Sequence, residues 1–255
     1  MKKIFIVFYV VIISIAILAQ EQSNFSIDTT KQTNKESSLL TKLEKILSQM
    51  TEEQKAYARA NWLVTPTTYT NKHNHPLSYI ISQNPTPETQ TSFECSACSS
   101  AYLLRFYGEE TNGVELYHKP TFPCKHSEGA FPKCFKILFE EQHKNYTTEY
   151  YSGTTDDLKN AISQGIPVIV LLMYNNGKSM HYVPVVGYDE KYFYIQDSVE
   201  KYRNVTNNKN YNEALEISTF DTMWNIPIES CQRLFVIVKK TDTQEKTNKD
   251  DSSVF

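Results

Sequence analysis

Short apolar runs dominate the second half of this sequence. Residues 166–174 are nearly continuous and rich in β-branched side chains, which is typical of a buried strand. Three further runs of strand length, at 181–186, 192–196 and 234–238, are separated by polar or turn-forming residues. A shorter run at 77–81 predicts one more strand upstream. The pattern predicts a sheet built mainly from the second half of the chain.

The first half of the chain has the spacing of helices instead. The predicted helices cover residues 39–50, 52–60, 95–107, 132–143 and 156–163, with a short helix at 220–225 before the last strand. Gly108 and Gly165 follow two of them at the position where a left-handed helix end needs glycine. Thr154 or Thr155 is expected to cap the helix at 156–163. Because helices come first and strands second, the sequence favours an α+β fold over a parallel βαβ sheet.

The two ends of the chain are predicted to lie outside the folded domain. Met1-Lys2-Lys3 is basic, residues 4–18 are apolar and uncharged, and a polar segment follows Ala19, as in a secretory signal. We predict a signal peptide over 1–19 and a secreted or extracytoplasmic location, with an uncleaved membrane anchor as the alternative. Residues 20–60 are predicted to be a polar linker and an amphipathic helix, and residues 241–255 a disordered polar tail.

Composition narrows the classes of function. The chain has 255 residues, of which 40% are hydrophobic and 22% charged, enough for one core. The net charge is -3 and the sequence has no basic patch, so nucleic acid is not an expected partner. The sequence has neither a glycine-rich phosphate loop nor a second CxxC motif, and we therefore expect no cofactor and no metal. We expect a monomer, which meets the membrane only through its N-terminal segment if that segment is not cleaved.

Five cysteines are present: Cys95, Cys98, Cys124, Cys134 and Cys231. An oxidising compartment favours disulfide bonds and would leave one of the five unpaired. If Cys95 is reserved for chemistry, the other four can form two disulfide bonds in any of three connectivities. Buried free thiols are the alternative.

Cys95 is the candidate nucleophile because it is predicted to open a helix. The thiolate is the reactive form of cysteine, and a helix N-terminus favours an anion through its partial positive charge and its unpaired N–H groups. We therefore expect a lowered pKa for this thiol. The small residues that follow, from Ser96 to Ala101, would let the helix approach a sheet closely. The alternative is a structural cysteine in a disulfide bond.

His181 and Asp197 are the candidate base and orienting acid. The turn at 188–191 joins two predicted strands, and position 189 is midway between these two residues. A hairpin symmetric about that position would place them directly opposite each other, with Cβ atoms about 5 Å apart. The carboxylate could then bind one imidazole nitrogen and leave the other for the thiol. Val183 and Val185 lie on the same face of the predicted strand as His181, and we expect them to wall the site, that is, to line it.

An acyl-transfer enzyme also needs donors for an oxyanion. The backbone N–H of Cys95 can supply one donor. A side-chain amide a few residues upstream can supply another, and Gln90 is our candidate, with Gln83 and Asn84 as the next choices.

Three segments resemble the peptidase C39-like family of papain-like cysteine peptidases. They are Phe93-Glu94-Cys95-Ser96-Ala97 with the helix to Arg105, Gly165-Ile166-Pro167-Val168-Ile169-Val170, and His181 to Asp189. The resemblance implies a C39-like domain over 61–240 with an α+β, papain-like fold, in which N-terminal helices and a central helix bearing the nucleophile pack against an antiparallel β-sheet. It assigns Cys95, His181 and Asp197 as nucleophile, base and orienting acid. The family's usual glycine after the nucleophile is Ser96 here, and its usual Asp-Pro is Asp197-Ser198.

The leading hypothesis is therefore an exported cysteine peptidase that acts on a peptide or protein substrate through an acyl-enzyme. A second hypothesis keeps the fold but changes the reaction to amide hydrolysis or transamidation of cell-wall or other peptides, because the same three residues can handle any acyl group. A third is a secreted binding module without catalytic activity.

Overall fold

A computed structural model describes residues 51–71, 73–82, 84–126, 129–175, 179–228 and 230–241. The predicted signal peptide, the linker with its helix at 39–50, and the tail from 242 onward lie outside these described residues.

One sheet of eight strands organises the described part of the chain. Its order is β1-β5-β10-β6-β7-β8-β9, and β2 pairs with β7 beside this path. A separate two-stranded ribbon joins β3 and β4. The strands are β1 (Thr67–Thr68), β2 (Tyr79–Ile80), β3 (Lys125–His126), β4 (Gly129–Ala130), β5 (Tyr146–Ser152), β6 (Val168–Tyr174), β7 (Ser179–Tyr188), β8 (Tyr192–Ile195), β9 (Glu213–Glu216) and β10 (Leu234–Lys240).

Helices cover both faces of this sheet. They are α1 (Glu52–Asn61), α2 (Cys95–Phe106), α3 (Gly113–His118), α4 (Cys134–Lys136), a π-helix that continues it (Ile137–His143), α5 (Thr155–Ile162), a 3-10 turn (Glu200–Tyr202) and α6 (Ile217–Trp224). Helices α2 and α3 share a buried cluster with one face of the sheet, and α5 and α6 share a second cluster with the other face.

The apolar run of β6 explains this two-sided burial. Ile169 and Leu171 belong to the cluster of α2, whereas Val168, Val170 and Leu172 belong to the cluster of α5 and α6. Successive side chains of a strand point to opposite faces, so a strand covered by helices on both sides must be apolar at nearly every position.

The predicted α+β class is confirmed, and the predicted antiparallel sheet needs one correction. Strands β5 to β10 pair antiparallel throughout, but the edge strand β1 pairs parallel with β5. The predicted helix over 132–143 is also divided, because its second half is π-helical and ends at Lys144 with φ 66°. Strands β1, β3, β4, β5 and β9 and helix α3 were not predicted.

The cap predicted for α5 is confirmed. The hydroxyl of Thr154 accepts a hydrogen bond from the Asp157 N–H, and the Asp157 carboxylate accepts one from the Thr154 N–H. These two reciprocal bonds form a capping box that satisfies donors at the helix start.

The disulfide prediction is not supported, since all five cysteines are free. Three of them are buried in the α2-side cluster with Tyr182 and other apolar residues, where a thiol packs as a small hydrophobic group. The Cys98 backbone packs closely against α3. A Cβ added at Gly113 would lie only 2.5 Å from the Cys98 Cα. Only glycine at position 113 allows this close approach, which fixes α2 beside α3.

Candidate active site

The start of α2 lacks a side-chain cap. The N-cap residue Glu94 makes no capping hydrogen bond, and the first helical bond runs from the Cys98 N–H to the Glu94 carbonyl at 2.8 Å. The N–H groups of the first turn, including that of Cys95, therefore have no acceptor within the helix. Cys95 itself is 8% exposed at this helix start.

The Glu94 side chain turns back toward the preceding loop instead. Its carboxylate accepts hydrogen bonds from the Thr91 N–H at 3.1 Å, the Thr91 hydroxyl at 2.7 Å and the Ser92 N–H at 2.6 Å. Burial acts to raise the pKa of Glu94, but the hydrogen bonds from Ser92 and Thr91 outweigh it and lower the pKa. The ionised carboxylate thus holds the loop that leads into α2, and the helix N-terminus stays open.

Helix α2 docks on β7 one turn beyond Cys95. The buried Ser99 hydroxyl donates to the Tyr182 carbonyl at 3.0 Å. Ala97 and Ala101 are fully buried, as expected of small residues in a close helix–sheet contact. Because Tyr182 is adjacent to His181, this contact brings the beginning of α2 beside the imidazole.

His181 and Asp197 are hydrogen-bonded inside the protein. His181 Nε2 lies 2.9 Å from Asp197 Oδ1, and the two residues are 4% and 0% exposed. Burial acts to lower the pKa of His181, but the charge and hydrogen bond of Asp197, followed by a hydrogen bond with Cys95, raise it to about 10. With Nε2 bound to Asp197, the other ring nitrogen, Nδ1, remains for Cys95. The structure thus brings together the three residues selected from the sequence.

The contact between His181 and Asp197 is as predicted, but the predicted register was wrong. A β-bulge shifts the pairing, so that Val185 pairs with Ile195 while Gly187 pairs with Tyr194. The two residues are therefore not directly opposed, and Asp197 follows the end of β8.

Hydrogen bonds hold the loop around Asp197 in place. The Asp197 N–H donates to Asn212 Oδ1 at 2.7 Å, and Asn212 Nδ2 donates back to the Asp197 carbonyl at 2.9 Å. Arg203 Nε donates to the same carbonyl at 3.0 Å. Asn212 thus binds both the N–H and the carbonyl of Asp197, and these hydrogen bonds position the carboxylate beyond the end of the strand pairing.

Val183 and Val185 do not wall the space around Cys95. Both are fully buried in the cluster of α5 and α6, on the sheet face away from α2. Aromatic rings lie beside the imidazole instead. The Tyr174 ring is 5.5 Å from the His181 ring and stacks at 4.2 Å on Tyr202, which is itself 6.0 Å from His181.

The loop residue Gln90 connects the two halves of this site. Its N–H donates to the Ser198 carbonyl at 2.9 Å, and its side-chain oxygen accepts from the Ser198 hydroxyl at 2.7 Å. Its side-chain nitrogen donates to the Ser92 carbonyl, three residues before Cys95. An amide nitrogen carries two hydrogens, so this contact leaves one of them for another acceptor.

The two other amides considered from the sequence differ from Gln90. Both donors of Asn84 are engaged, with the Ile81 carbonyl at 2.7 Å and the Asn210 carbonyl at 3.1 Å. Gln83 lies outside the described residues.

Four residues of the site were not found from the sequence: Tyr174, Tyr202, Asn212 and Glu213. Tyr174 ends a predicted strand, where an aromatic residue is ordinary. Asn212 and Glu213 are polar residues in a polar stretch, and nothing in the pattern distinguishes them from surface residues. Their burial, 9% and 2% exposed, arises only from tertiary packing.

Within the part of the chain that the structure describes, no helix has the length and apolar character needed to cross a membrane.

Comparison with known proteins gives a family match over this region. The sequence model of the Peptidase_C39 like family matches residues 68–226, which is more than half of the 255-residue chain. No curated protein matches the sequence.

Three solved structures are similar at low identity. A protein from Bacillus anthracis described as a C39-like peptidase is 15% identical, with 65% of this chain and 99% of that chain covered and a TM-score of 0.47. A double glycine motif protease from an AMS/PCAT transporter, in complex with the leader peptide, is 18% identical, with 66% and 100% covered and a TM-score of 0.45. The peptidase domain of Streptococcus ComA, a bi-functional ABC transporter, is 14% identical, with 62% and 98% covered and a TM-score of 0.44.

Proposed function

Since this chain belongs to the Peptidase_C39 like family, we propose that it is an exported cysteine peptidase that hydrolyses peptide bonds through Cys95, His181 and Asp197. The family and the α+β, papain-like fold were both predicted from the sequence and are confirmed. The observation that carries the proposal is the buried 2.9 Å hydrogen bond between His181 and Asp197, with Cys95 bound to the same imidazole.

The first half of the reaction forms an acyl-enzyme. The Cys95 thiolate attacks the carbonyl carbon of the scissile peptide bond, and the C–S bond forms as the carbonyl oxygen takes up negative charge. The C–N bond then breaks, and the His181 imidazolium gives its proton to the departing amine. The raised pKa of His181 supports this role, because the ring carries the proton at neutral pH before attack.

The second half releases the acid. His181, now neutral, takes a proton from a water molecule, and the oxygen of that water attacks the thioester carbon. The C–S bond breaks, the carboxylic acid leaves, and the proton held by His181 restores the ion pair with the Cys95 thiolate. Asp197 stays hydrogen-bonded to Nε2 and holds the ring orientation throughout.

The oxyanion formed in both halves needs donors. The N–H of Cys95 is one, because the helix start has no side-chain cap. The other is the remaining hydrogen of the Gln90 side-chain amide. Three hydrogen bonds hold Gln90 between Ser92 and Ser198. Preorganised donors of this kind stabilise charge that develops only in the transition state.

The substrate is a peptide or protein met outside the cytoplasm. The support for export is the basic and then apolar N-terminus, residues 1–19.

Cleavage of a peptide library by the purified protein tests the proposal, with Cys95→Ala as the loss-of-function variant. Cys98→Ala is the matched control, because Cys98 lies one turn further along α2 and burial raises the pKa of its thiol to about 12. We expect hydrolysis to disappear in the first variant and to persist in the second.

Two results would overturn this assignment. Unchanged cleavage in Cys95→Ala would show that another residue is the nucleophile. Products that carry an added amine in place of a free carboxylate would show transamidation, the alternative reaction of the same site.

A further inference from the structure

Behind Asp197 lies a second buried carboxyl group, that of Glu213 on β9. Glu213 is 2% exposed and Asp197 is 0% exposed. The Tyr174 hydroxyl stands between them, 2.9 Å from Glu213 Oε2 and 3.4 Å from Asp197 Oδ2. A chain of contacts therefore runs from Glu213 through Tyr174 and Asp197 to His181.

If Glu213 and Asp197 are both ionised, the Tyr174 hydroxyl cannot donate a hydrogen bond to both of them. A tyrosine hydroxyl has one hydrogen, so it can donate to only one of the two carboxylates at a time. Two negative charges in contact away from water repel each other, and one site of such a pair takes up a proton. Because Asp197 Oδ1 is bound to His181 and to the Val199 N–H, Glu213 is the partner that is free to hold the proton.

Groups on three neighbouring elements act on the Glu213 carboxyl group. Tyr174 from β6, His181 from β7 and Asp197 after β8 are the titratable groups that act on it. The nearby Arg203 directs its hydrogen bonds to the peptide oxygens of Asp197 and Glu88. Burial, followed by the charge of Asp197, raises the pKa of Glu213 to about 8, against the opposing effects of Tyr174 and His181.

We propose that Glu213 is a positioning residue that remains protonated at neutral pH and, with Tyr174, holds the Asp197 carboxylate against His181. This inference rests on the proposed function of the triad. It implies that ionisation of Glu213 in alkaline solution places a second negative charge beside Asp197 and disturbs its contact with His181. The rate at which Cys95 reacts should then fall as pH rises past the ionisation of Glu213, before His181 itself loses its proton.

The pH–rate profile of Cys95 alkylation tests this in Glu213→Gln and Glu213→Leu. An amide is neutral and can donate a hydrogen bond, so the Gln variant mimics the protonated acid and should react about tenfold faster than the Leu variant at neutral pH. The Gln variant should also lack the alkaline decline that we expect for the unmodified protein. Equal rates for Gln and Leu, or an alkaline decline that persists in Gln, would overturn the proposal.

Infrared difference spectroscopy provides a measurement that does not depend on catalysis. In the Cys95→Ala protein we expect a carbonyl stretch of a protonated carboxylic acid that disappears as pH rises through about 8 and is missing when Glu213→Gln is added. If this band is present but no peptide is cleaved, the protonation of Glu213 stands and the peptidase assignment fails. If cleavage is normal but Glu213→Gln leaves the band unchanged, the Glu213 proposal fails and the peptidase assignment stands.

Discussion

Two helices of this protein begin in opposite ways. At α5, Thr154 and Asp157 exchange reciprocal hydrogen bonds, and the first donors of the helix are satisfied. At α2, the N-cap residue Glu94 directs its carboxylate to Thr91 and Ser92 and leaves the helix start open. A missing cap costs about 1 kcal/mol of stability, so its absence at the helix that carries Cys95 points to a function for the free N–H groups.

In the proposed function, a helix start stabilises the fold at α5 and takes part in the chemistry at α2. Helix α5 closes against the sheet face opposite α2, where Leu158 and Ile162 are fully buried. The N–H groups at the start of α5 need only hydrogen-bond acceptors. The start of α2 lies beside the His181 imidazole, and in the proposed reaction its N–H groups must remain available to a substrate.

The largest effect on the site beside α2 is expected for Asp197→Asn. Loss of the carboxylate removes the main influence that raises the pKa of His181, and burial then lowers it, so the ring is neutral at pH 7. We expect kcat/KM to fall by roughly 10³–10⁴-fold, as for an orienting acid whose replacement by an amide leaves the imidazole in the wrong tautomer. Alkylation of Cys95 should also slow at about pH 6 and recover only in more alkaline solution.

Asp221→Asn is the control for that change. Asp221 pairs with Arg233 at 2.8 Å on α6, on the far side of the sheet. The kcat/KM of the Asp221→Asn variant should equal that of the unmodified protein. An Asp197→Asn profile that overlays the unmodified one would show that Asp197 does not set the charge of His181.

A smaller effect, still on rate, is expected for Gln90→Ala. Removal of one oxyanion donor lowers kcat by about 10²–10³-fold in enzymes with such sites. Asn84→Ala is matched to it, because Asn84 is also a loop amide but both of its donors bind backbone carbonyls. Thermal unfolding should show a lower Tm for both variants, whereas steady-state kinetics should show the loss of kcat only for Gln90→Ala. A loss of kcat for Asn84→Ala and not for Gln90→Ala would contradict the assignment.

The smallest effect is expected for Thr154→Ala, and it concerns stability alone. Loss of the α5 cap should reduce the free energy of unfolding by about 1 kcal/mol and lower Tm by roughly 2–4 °C, as expected for a domain of this size. kcat should not change, and differential scanning calorimetry with parallel kinetics checks both. A lower kcat at unchanged Tm would show that the start of α5 affects catalysis and not stability, contrary to this expectation.

Local sequence signals were sufficient for much of the fold. The continuous apolar run at β6 predicted a buried strand, and Gly108, with φ 88°, predicted the end of α2. Strand β5 was missed because Tyr146–Ser152 mixes threonine, glutamate and tyrosine, and it becomes a strand only by pairing with β10. Pairing partners distant in sequence leave no mark in a local pattern.

The contact between His181 and Asp197 was predictable because the chain itself brings these two residues together. His181 and Asp197 belong to one hairpin, so their contact followed from the turn between them even though the bulge near Val185 altered the register. Glu213 comes from a third strand and was not predicted. A β-bulge inserts one residue into a ladder, which the alternation of apolar residues does not reveal.

Competitive alkylation of the five cysteines in the native protein is the decisive test of whether His181 activates Cys95. Cys124 is the more exposed thiol, while Cys95 is 8% exposed but is bound to the His181 imidazole. Treatment with limiting iodoacetamide at about pH 6, followed by peptide mass spectrometry, separates reactivity from exposure. We expect Cys95 to be modified first and His181→Ala to abolish this preference. Modification of Cys124 before Cys95, or a preference for Cys95 that survives His181→Ala, would contradict this expectation.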